Sequence, residues 1–264
     1  ADHPLIVHIG DWQLMGEWAE EIPDYAIDLA RAFWPGPMTL ILQRSEIAKD
    51  FVTGNQNTVG IRVPSQTLAL QLLNEFTKLG GKGIAAPSAN RFGAVSPTTA
   101  HAVEEELADF LEPQDYILDG GPSLVGVEST IVDCTKDVPT ILRPGAITAA
   151  MIEETTGLIA LSSEKSDVRV SGSLDSHYSP KAKVVLAAIA EPGDGLIAPD
   201  QIPTPDGVIR LASPRSIEGD ARDLYAALRE ADNQNLDVVV VLQPGGDGFA
   251  EAIRDRLKRS AFKQ

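Results

Sequence analysis

Two segments constrain the fold of this chain more than any other feature: Gly60-Ile61-Arg62-Val63-Pro64 and, about one helix and one turn later, Gly83-Ile84-Ala85-Ala86-Pro87-Ser88-Ala89-Asn90. Each reads as a short apolar strand that ends in polar side chains and a proline, which cannot donate to a sheet ladder. Strands alternating with helices build α/β proteins, and open α/β sheets bind ligands beyond the carboxyl ends of their strands. Arg62 would place a fixed cation there, and Ser88 and Asn90 a hydroxyl and an amide. Pro, Ser and Asn are also ordinary turn residues, so a plain strand-to-loop turn is the competing reading of these two segments.

With 264 residues the chain has room for one large or two ordinary domains, and we expect two. A hydrophobic share of 43% and a charged share of 23% are those of a globular protein. No apolar run approaches the ~18 residues of a membrane-spanning helix, and no signal-peptide pattern is present. A soluble, cytoplasmic protein is expected. The net charge of −16 repels phosphate backbones, so direct tRNA binding is disfavoured.

One cysteine, Cys134, excludes an internal disulfide and reads as a strand-end residue rather than a nucleophile. His3, His8, His101 and His177 show no helical pairing and no companion cysteines, which argues against a zinc site. Gly80-Gly81-Lys82-Gly83 lacks the upstream glycine and downstream hydroxyl of a P-loop, and Gly245-Gly246-Asp247-Gly248 lacks the third glycine of a dinucleotide fingerprint. Any nucleotide is therefore held in another geometry, and Mg²⁺ is expected to arrive with it.

Along the chain, periodicity predicts strands at Pro4–Ile9, Met38–Leu42, Thr58–Val63, around Ile84, near Tyr116–Leu118, at Ser129–Val132 and at Thr140–Leu142. Helices are predicted from Pro23-Asp24 to Phe33, from Gln66 to Lys78 and from Ser96 to Leu107. Ile27, Leu29, Ala30 and Phe33 should form the apolar face of the first, and Glu104-Glu105-Glu106 a solvated face of the third. A core strand that starts almost at the first residue leads us to expect that upstream sequence is absent. Between about Leu161 and Pro180 the pattern dissolves into Ser, Gly and Lys, which marks a linker. Strand Lys183–Ala187, strand Val208–Leu211, helix Ala221–Ala231, strand Val238–Val241 and helix Gly248–Lys258 then form a small α/β unit. The glycine-rich turn after Val241 faces a helix N-terminus, although a plain turn is the simpler reading.

Read together, Pro4-Leu5-Ile6-Val7-His8, Phe33-Trp34-Pro35-Gly36-Pro37-Met38-Thr39-Leu40, Gly60-Ile61-Arg62-Val63-Pro64, Ala86-Pro87-Ser88-Ala89-Asn90, Ser96-Pro97-Thr98, Gly126-Val127-Glu128-Ser129-Thr130-Ile131 and Leu142-Arg143-Pro144-Gly145 carry a specific resemblance. In this order they resemble the YrdC-like threonylcarbamoyl-AMP synthases. His177-Tyr178-Ser179-Pro180, followed by an α/β tail, is similar to the long two-domain form. The resemblance is dense through about residue 146 and weaker beyond the linker. It implies an α/β protein with a YrdC-like twisted mixed sheet and flanking helices over 1–160, a linker or lid over 161–182, and a smaller Rossmann-like α/β domain over 183–264.

The resemblance further implies an enzyme that joins ATP, L-threonine and bicarbonate into threonylcarbamoyl-AMP and pyrophosphate, the first step of threonylcarbamoyladenosine formation in tRNA. In that reaction the threonine amine is carbamated, and a carbamate oxygen attacks the α-phosphorus. Arg62 would hold the threonine carboxylate, with Ser129, His8 and the main chain at Ala86 lining the same pocket. His8 reads equally well as a satisfied core histidine, and Arg62 and Arg143 could each serve in an ion pair. Thr58, Ser88, Ser96 and Arg143 would face ATP, with His3 at the mouth and Tyr178 reaching in from the linker. Asn90 would shape the loop that bears Ser88.

No residue is singled out as catalytic; positioning and electrostatics do most of the work in such a site. A downstream threonylcarbamoyl transferase is the expected partner. The family carries a Lys-x-Arg pair and a threonine-bearing strand just upstream of Pro4, so the intact protein is the expected enzyme, and whether the chain as given is active turns on how far those groups are needed. An RNA-binding or regulatory module is the alternative, which the charge disfavours. A related carbamoyl-transferring maturation enzyme would carry zinc-binding cysteine clusters, which a single cysteine cannot supply.

Overall fold

The computed structural model describes residues 3–91, 93–163, 167–172, 178–186 and 189–262. Strand β1 (Ile6–His8) is followed by α1 (Met15–Trp18), β2 (Ala19–Glu20), α2 (Asp24–Phe33), β3 (Met38–Arg44), α3 (Asp50–Thr53), β4 (Thr58–Arg62), α4 (Thr67–Lys78) and β5 (Ile84–Ala86). Next come α5 (Ala100–Leu107), β6 (Thr130–Asp133), β7 (Thr140–Arg143), α6 (Ala149–Thr156) and β8 (Leu161–Ser162). The order closes with β9 (Lys183–Val185), β10 (Gly195–Ile197), β11 (Ile209–Ala212), α7 (Ile217–Asn233), β12 (Val238–Val241) and α8 (Phe249–Ala261). The chain divides into two compact units: residues 1–87 with 128–173, and residues 88–127 with 174–264.

The first unit is built on a mixed sheet in the order β5-β1-β4-β3-β6-β7-β8, with β2 alongside β3. Strand residues alternate between faces, and here the alternation separates core from site. Val7, Leu40, Leu42, Val59, Ile61 and Val132 join Leu29 and Ala30 of α2 and Ile152 of α6 in one buried cluster. Each such side chain contributes roughly 1.5–3 kcal/mol on burial. The intervening positions, Ile6, His8, Gly60, Arg62, Thr39, Ile41 and Ile131, point to the opposite face. Helix α2 follows the expected range, but its most buried residues are Tyr25, Ala26, Leu29 and Ala30, with Ile27 and Phe33 packed at the margin. Helix α4 is capped by the Gln66 side chain, which accepts from Ala69 N at 2.6 Å, and ends at Gly80 with φ +92°.

The segment expected to be a linker is partly built into this unit. Leu161–Ser162 pairs with β7 in parallel as β8, a strand too short to leave a periodic trace. Farther on, Arg169 N donates to Gln56 Oε1 at 2.7 Å, Arg169 Nη2 to Gly54 O at 2.6 Å, and Gln56 Nε2 to Arg169 O at 2.9 Å. Residues 164–166 and 173–177 of that stretch, His177 among them, lie outside the described residues.

The second unit has a wholly parallel four-stranded sheet, β11-β10-β12-β9, flanked by α7 and α8. Four consecutive valines make β12, as suits a strand covered on both faces. Ser216 caps α7 by accepting from Gly219 N at 3.1 Å, with Glu218 and Asp220 in the first turn. Residues 88–127 belong to this unit: Val95 and Val127 share a core cluster with Leu224, Tyr225 and Ile253.

Two expectations fail here. Tyr116–Leu118 forms no strand, because Tyr116 and Leu118 are exposed by 86% and 57% with no neighbouring strand to pair with among the described residues. Glu106 is no part of a solvated face: its side chain is 8% exposed and meets Arg91 Nε at 2.9 Å and Arg229 Nη2 at 3.2 Å. Burial alone would raise its carboxyl pKa, but hydrogen bonds from Arg91 and the Arg229 charge outweigh it and hold the group below the usual glutamate range. A depressed pKa stabilises the fold fully above the unfolded value of about 4.3, and that contribution fades as pH falls through the lower folded value. Glu106→Gln should cost about 1–2 kcal/mol at pH 7, as Arg91 is largely exposed. In urea melts, the gap to the native protein should shrink in acid; an equal gap at about pH 3 and pH 7 refutes the account.

Candidate active site

Five strands of the first unit bring a polar row to one edge of their shared sheet. His8 ends β1 and pairs across to Arg62 at the end of the parallel strand β4. The antiparallel strand β3 carries Thr39 beside them, one residue on from its start at Met38, and β6 opens just after Ser129. Arg143 ends β7 and pairs with Ile131. Three strands thus finish, and two begin, at the same edge, as the ligand-binding ends of α/β sheets do.

Hydrogen bonds hold this row in place. Arg62 Nε donates to Gly36 O at 3.0 Å, and Gly36 N donates back to Val63 O at 2.9 Å. A Cβ at Gly36 would stand 2.1 Å from Phe33 O, so the close approach requires glycine. Arg143 donates from Nε (3.1 Å) and Nη2 (2.9 Å) to Ser129 O, from Nη2 to Ser129 Oγ (3.1 Å), and from Nη1 to Ser171 O (2.8 Å). Ser129 Oγ lies 2.8 Å from Thr39 Oγ1, and all three side chains are buried. Among the described residues no carboxylate pairs with Arg62, and its two Nη groups carry no hydrogen bond. A guanidinium with an unfilled fork is suited to two parallel bonds with a carboxylate.

Burial and then the Arg143 charge push Arg62 down to about 10, so it remains a cation at neutral pH beside a second cation. Burial, followed by the Arg62 charge, pushes His8 down to about 4, despite main-chain groups of Ile6 and Ile84 that favour the charged form. His8 Nδ1 has no hydrogen-bond partner among the described residues. The site therefore presents fixed positive charge and one neutral imidazole, an environment made for an anion. In the unfolded chain His8 takes up its proton near 6.5. Between that value and about 4 the unfolded state binds more protons, so stability from this group is full above about pH 6.5 and falls as pH drops. An NMR titration should show no His8 inflection between about pH 5.5 and 8; one near 6.5 would contradict the buried, neutral ring.

The other expected site residues are distributed as follows. Ala86 faces Ile6 across the β1–β5 ladder, two residues before His8. Thr58 opens β4 on the face that carries Arg62 and helps line a narrow crevice with Ile6, Gly60, Ile131 and Arg169. His3 is exposed ahead of β1. Ser88, exposed, and Ser96, buried, belong to the second unit. Asn90 Nδ2 donates to Arg91 O at 2.8 Å and Ala94 O at 3.2 Å, which shapes the loop after Ser88.

Tyr178 also belongs to the second unit. It is 1% exposed, its ring stacks on Tyr225 with centroids 5.4 Å apart, and its carbonyl accepts from Ser260 Oγ at 2.8 Å. Cys134 is buried at its strand end and its thiol is pushed upward first by burial and then by Asp133, so it is a poor nucleophile. Two residues of the polar row were not foreseen. Gly36 and Thr39 both sit in the Trp-Pro-Gly-Pro-Met-Thr run, and the signal for Thr39 was a hydroxyl on the face opposite Met38 and Leu40.

The family models account for nearly the entire chain. The Sua5/YciO/YrdC model, described as "Telomere recombination", matches residues 1–145. The model for the C-terminal domain of threonylcarbamoyl-AMP synthase matches residues 147–262. The chain belongs to the threonylcarbamoyl-AMP synthase family. The synthase of Pyrococcus abyssi is 35% identical over 99% of this chain and 81% of its own length. That of Bacillus subtilis is 34% identical, over 99% and 80%. The structure of P. abyssi Sua5 complexed with L-threonine superposes with a TM-score of 0.86 at 34% identity, again covering 99% of this chain and 81% of that one. The two-domain synthase architecture expected from the sequence motifs is thus borne out.

Proposed function

We propose that the polar row of the first unit is the amino-acid pocket of a threonylcarbamoyl-AMP synthase that joins ATP, L-threonine and bicarbonate with release of pyrophosphate. The observation that carries this reading is the Arg62 fork, held by Gly36 and facing neutral His8 and buried Ser129. The fork takes the threonine carboxylate, and Ser129 adds a further bond. A neutral His8 keeps one ring nitrogen able to accept a hydrogen bond from the substrate amine, which an imidazolium could only repel.

Arg143, buried behind Ser129, adds positive potential toward a triphosphate laid beside Thr58. Among the described residues no three or more His, Cys, Asp or Glu side chains gather to hold a metal. Mg²⁺ would therefore draw most of its ligands from phosphate oxygens, as suits an ion that keeps few protein contacts. When bound, it would neutralise triphosphate charge during adenylation.

The product is a mixed anhydride that reacts with water, so a downstream transferase that places the threonylcarbamoyl group on tRNA completes the sequence. With a net charge of −16, this chain leaves tRNA binding to that partner. Among the described residues no helix is long and apolar enough to cross a membrane. The cytoplasm, where ATP and tRNA meet, is the proposed compartment. The test is pyrophosphate release from ATP and Mg²⁺ by this chain, with and without L-threonine and bicarbonate. Release that needs both co-substrates supports the activity; release that ignores threonine argues against it.

A further inference from the structure

Thr39 and Ser129 form a buried hydroxyl pair, and their protons can be counted. Their oxygens are 2.8 Å apart, with Thr39 wholly buried and Ser129 2% exposed. A hydroxyl has one proton and two lone pairs, whereas a guanidinium has no acceptor. Arg143 Nη2, 3.1 Å from Ser129 Oγ, must therefore donate, and it fills one of the two lone pairs of Ser129.

Two protons remain for the pair, and one of them forms the bond between the hydroxyls. Among the described residues Thr39 Oγ1 has no hydrogen-bond partner except Ser129. If Ser129 donated, the leftover proton would sit on Thr39, which is wholly closed off, whereas Ser129 keeps a 2% opening through which a ligand can take it. If Thr39 donates, it is satisfied, and the second lone pair of Ser129 is filled as well. The Ser129 proton is then the single bonding capacity left on that oxygen. It sits on the face of the sheet that carries Arg62 and His8.

We infer that Thr39 is a positioning residue: with Arg143, it saturates the acceptor capacity of Ser129 and turns that hydroxyl into an obligate donor toward a substrate oxygen. The ligand group at Ser129 is thus an oxygen acceptor, a carboxylate or carbamate oxygen of the amino acid, and not its ammonium. The polarity of this contact is set one side chain away from the substrate. The inference rests on the threonine reading of the site.

The experiment measures L-threonine binding by calorimetry to the 264-residue chain and to Thr39→Val, Thr39→Ser, Ser129→Ala and Thr39→Val/Ser129→Ala, with thermal melts of each. Thr39→Val should weaken threonine binding about tenfold, as for loss of one hydrogen bond to a charged group. Thr39→Ser, which keeps the hydroxyl, should bind within about twofold of the native chain, and the double variant no worse than Ser129→Ala, because the two act as one unit. In steady state, the Thr39→Val defect should fall on the threonine KM and leave the ATP KM unchanged. Native-strength binding by Thr39→Val, or additive losses in the double variant, overturns the inference but leaves the threonine site standing. Failure of the native chain to bind threonine overturns both.

Discussion

Arg62→Ala should raise the threonine requirement about a hundredfold or more and leave the ATP requirement within about threefold. The side chain donates once to Gly36 and keeps both Nη groups for a ligand. Two charged hydrogen bonds of roughly 1.5–3 kcal/mol each are removed, and a net loss of about 3 kcal/mol is a factor of about 100 in affinity. Arg62→Lys should recover little, since a lone ammonium cannot reproduce the planar fork. Steady-state kinetics with each substrate varied in turn gives the answer, and equal increases in both KM values would remove Arg62 from the carboxylate role. The fold should tolerate the change, because truncation also relieves a buried cation of its neighbour Arg143.

The second large effect is expected at Gly145. A methyl group there would stand 2.4 Å from Thr130 N, 2.6 Å from Thr130 Oγ1 and 2.9 Å from the Ser129 carbonyl carbon. These atoms are not free to yield, because Thr130 Oγ1 donates to Ile147 O at 2.9 Å and accepts from Ile147 N at 3.0 Å. Gly145→Ala should therefore push the Ser129–Thr130 segment away from Arg143. Overpacking of this kind costs roughly 1–3 kcal/mol, or a fall of about 3–10 °C in Tm for a chain of this length. The loss of synthesis should be larger, about 100-fold, since a shift near 1 Å in a positioned group suffices for that. Native kinetics in a folded Gly145→Ala variant would show that the Ser129–Arg143 contact does not matter to catalysis.

Much of the first unit could be read in advance because its elements advertise themselves locally. Thr58–Arg62 alternates small or polar with apolar side chains, α4 has its cap at Gln66 and its stop at Gly80, and the proline after Trp34 ends α2. His8, Arg62, Ser129 and Arg143 could be picked out for a similar reason, each lying where a strand starts or finishes in a recognisable motif. What escaped depends on partners distant in sequence. Glu106 looks solvated until Arg229, 123 residues later, closes over it. Thr39 looks like one more strand residue until Ser129, 90 positions on, supplies its bond. Tyr178 stands in a stretch with linker composition, and nothing local signals that its ring stacks on Tyr225. Tyr116–Leu118 erred the other way: it has a strand's composition but, among the described residues, no neighbouring strand to pair with.

The interleaving of the two units bears on how the protein is made. Residues 88–127 leave the ribosome well before α7, yet Arg229 donates to Val95 O at 2.9 Å and to Ala102 O at 3.0 Å, and Tyr225 shares their hydrophobic cluster. That excursion must wait for about a hundred further residues before it can bury its apolar side chains. During synthesis it is a natural client for a chaperone. A fragment cut at the family boundary near residue 146 would carry the same orphaned segment permanently, so the shortest version of this chain that folds cleanly must retain the second sheet.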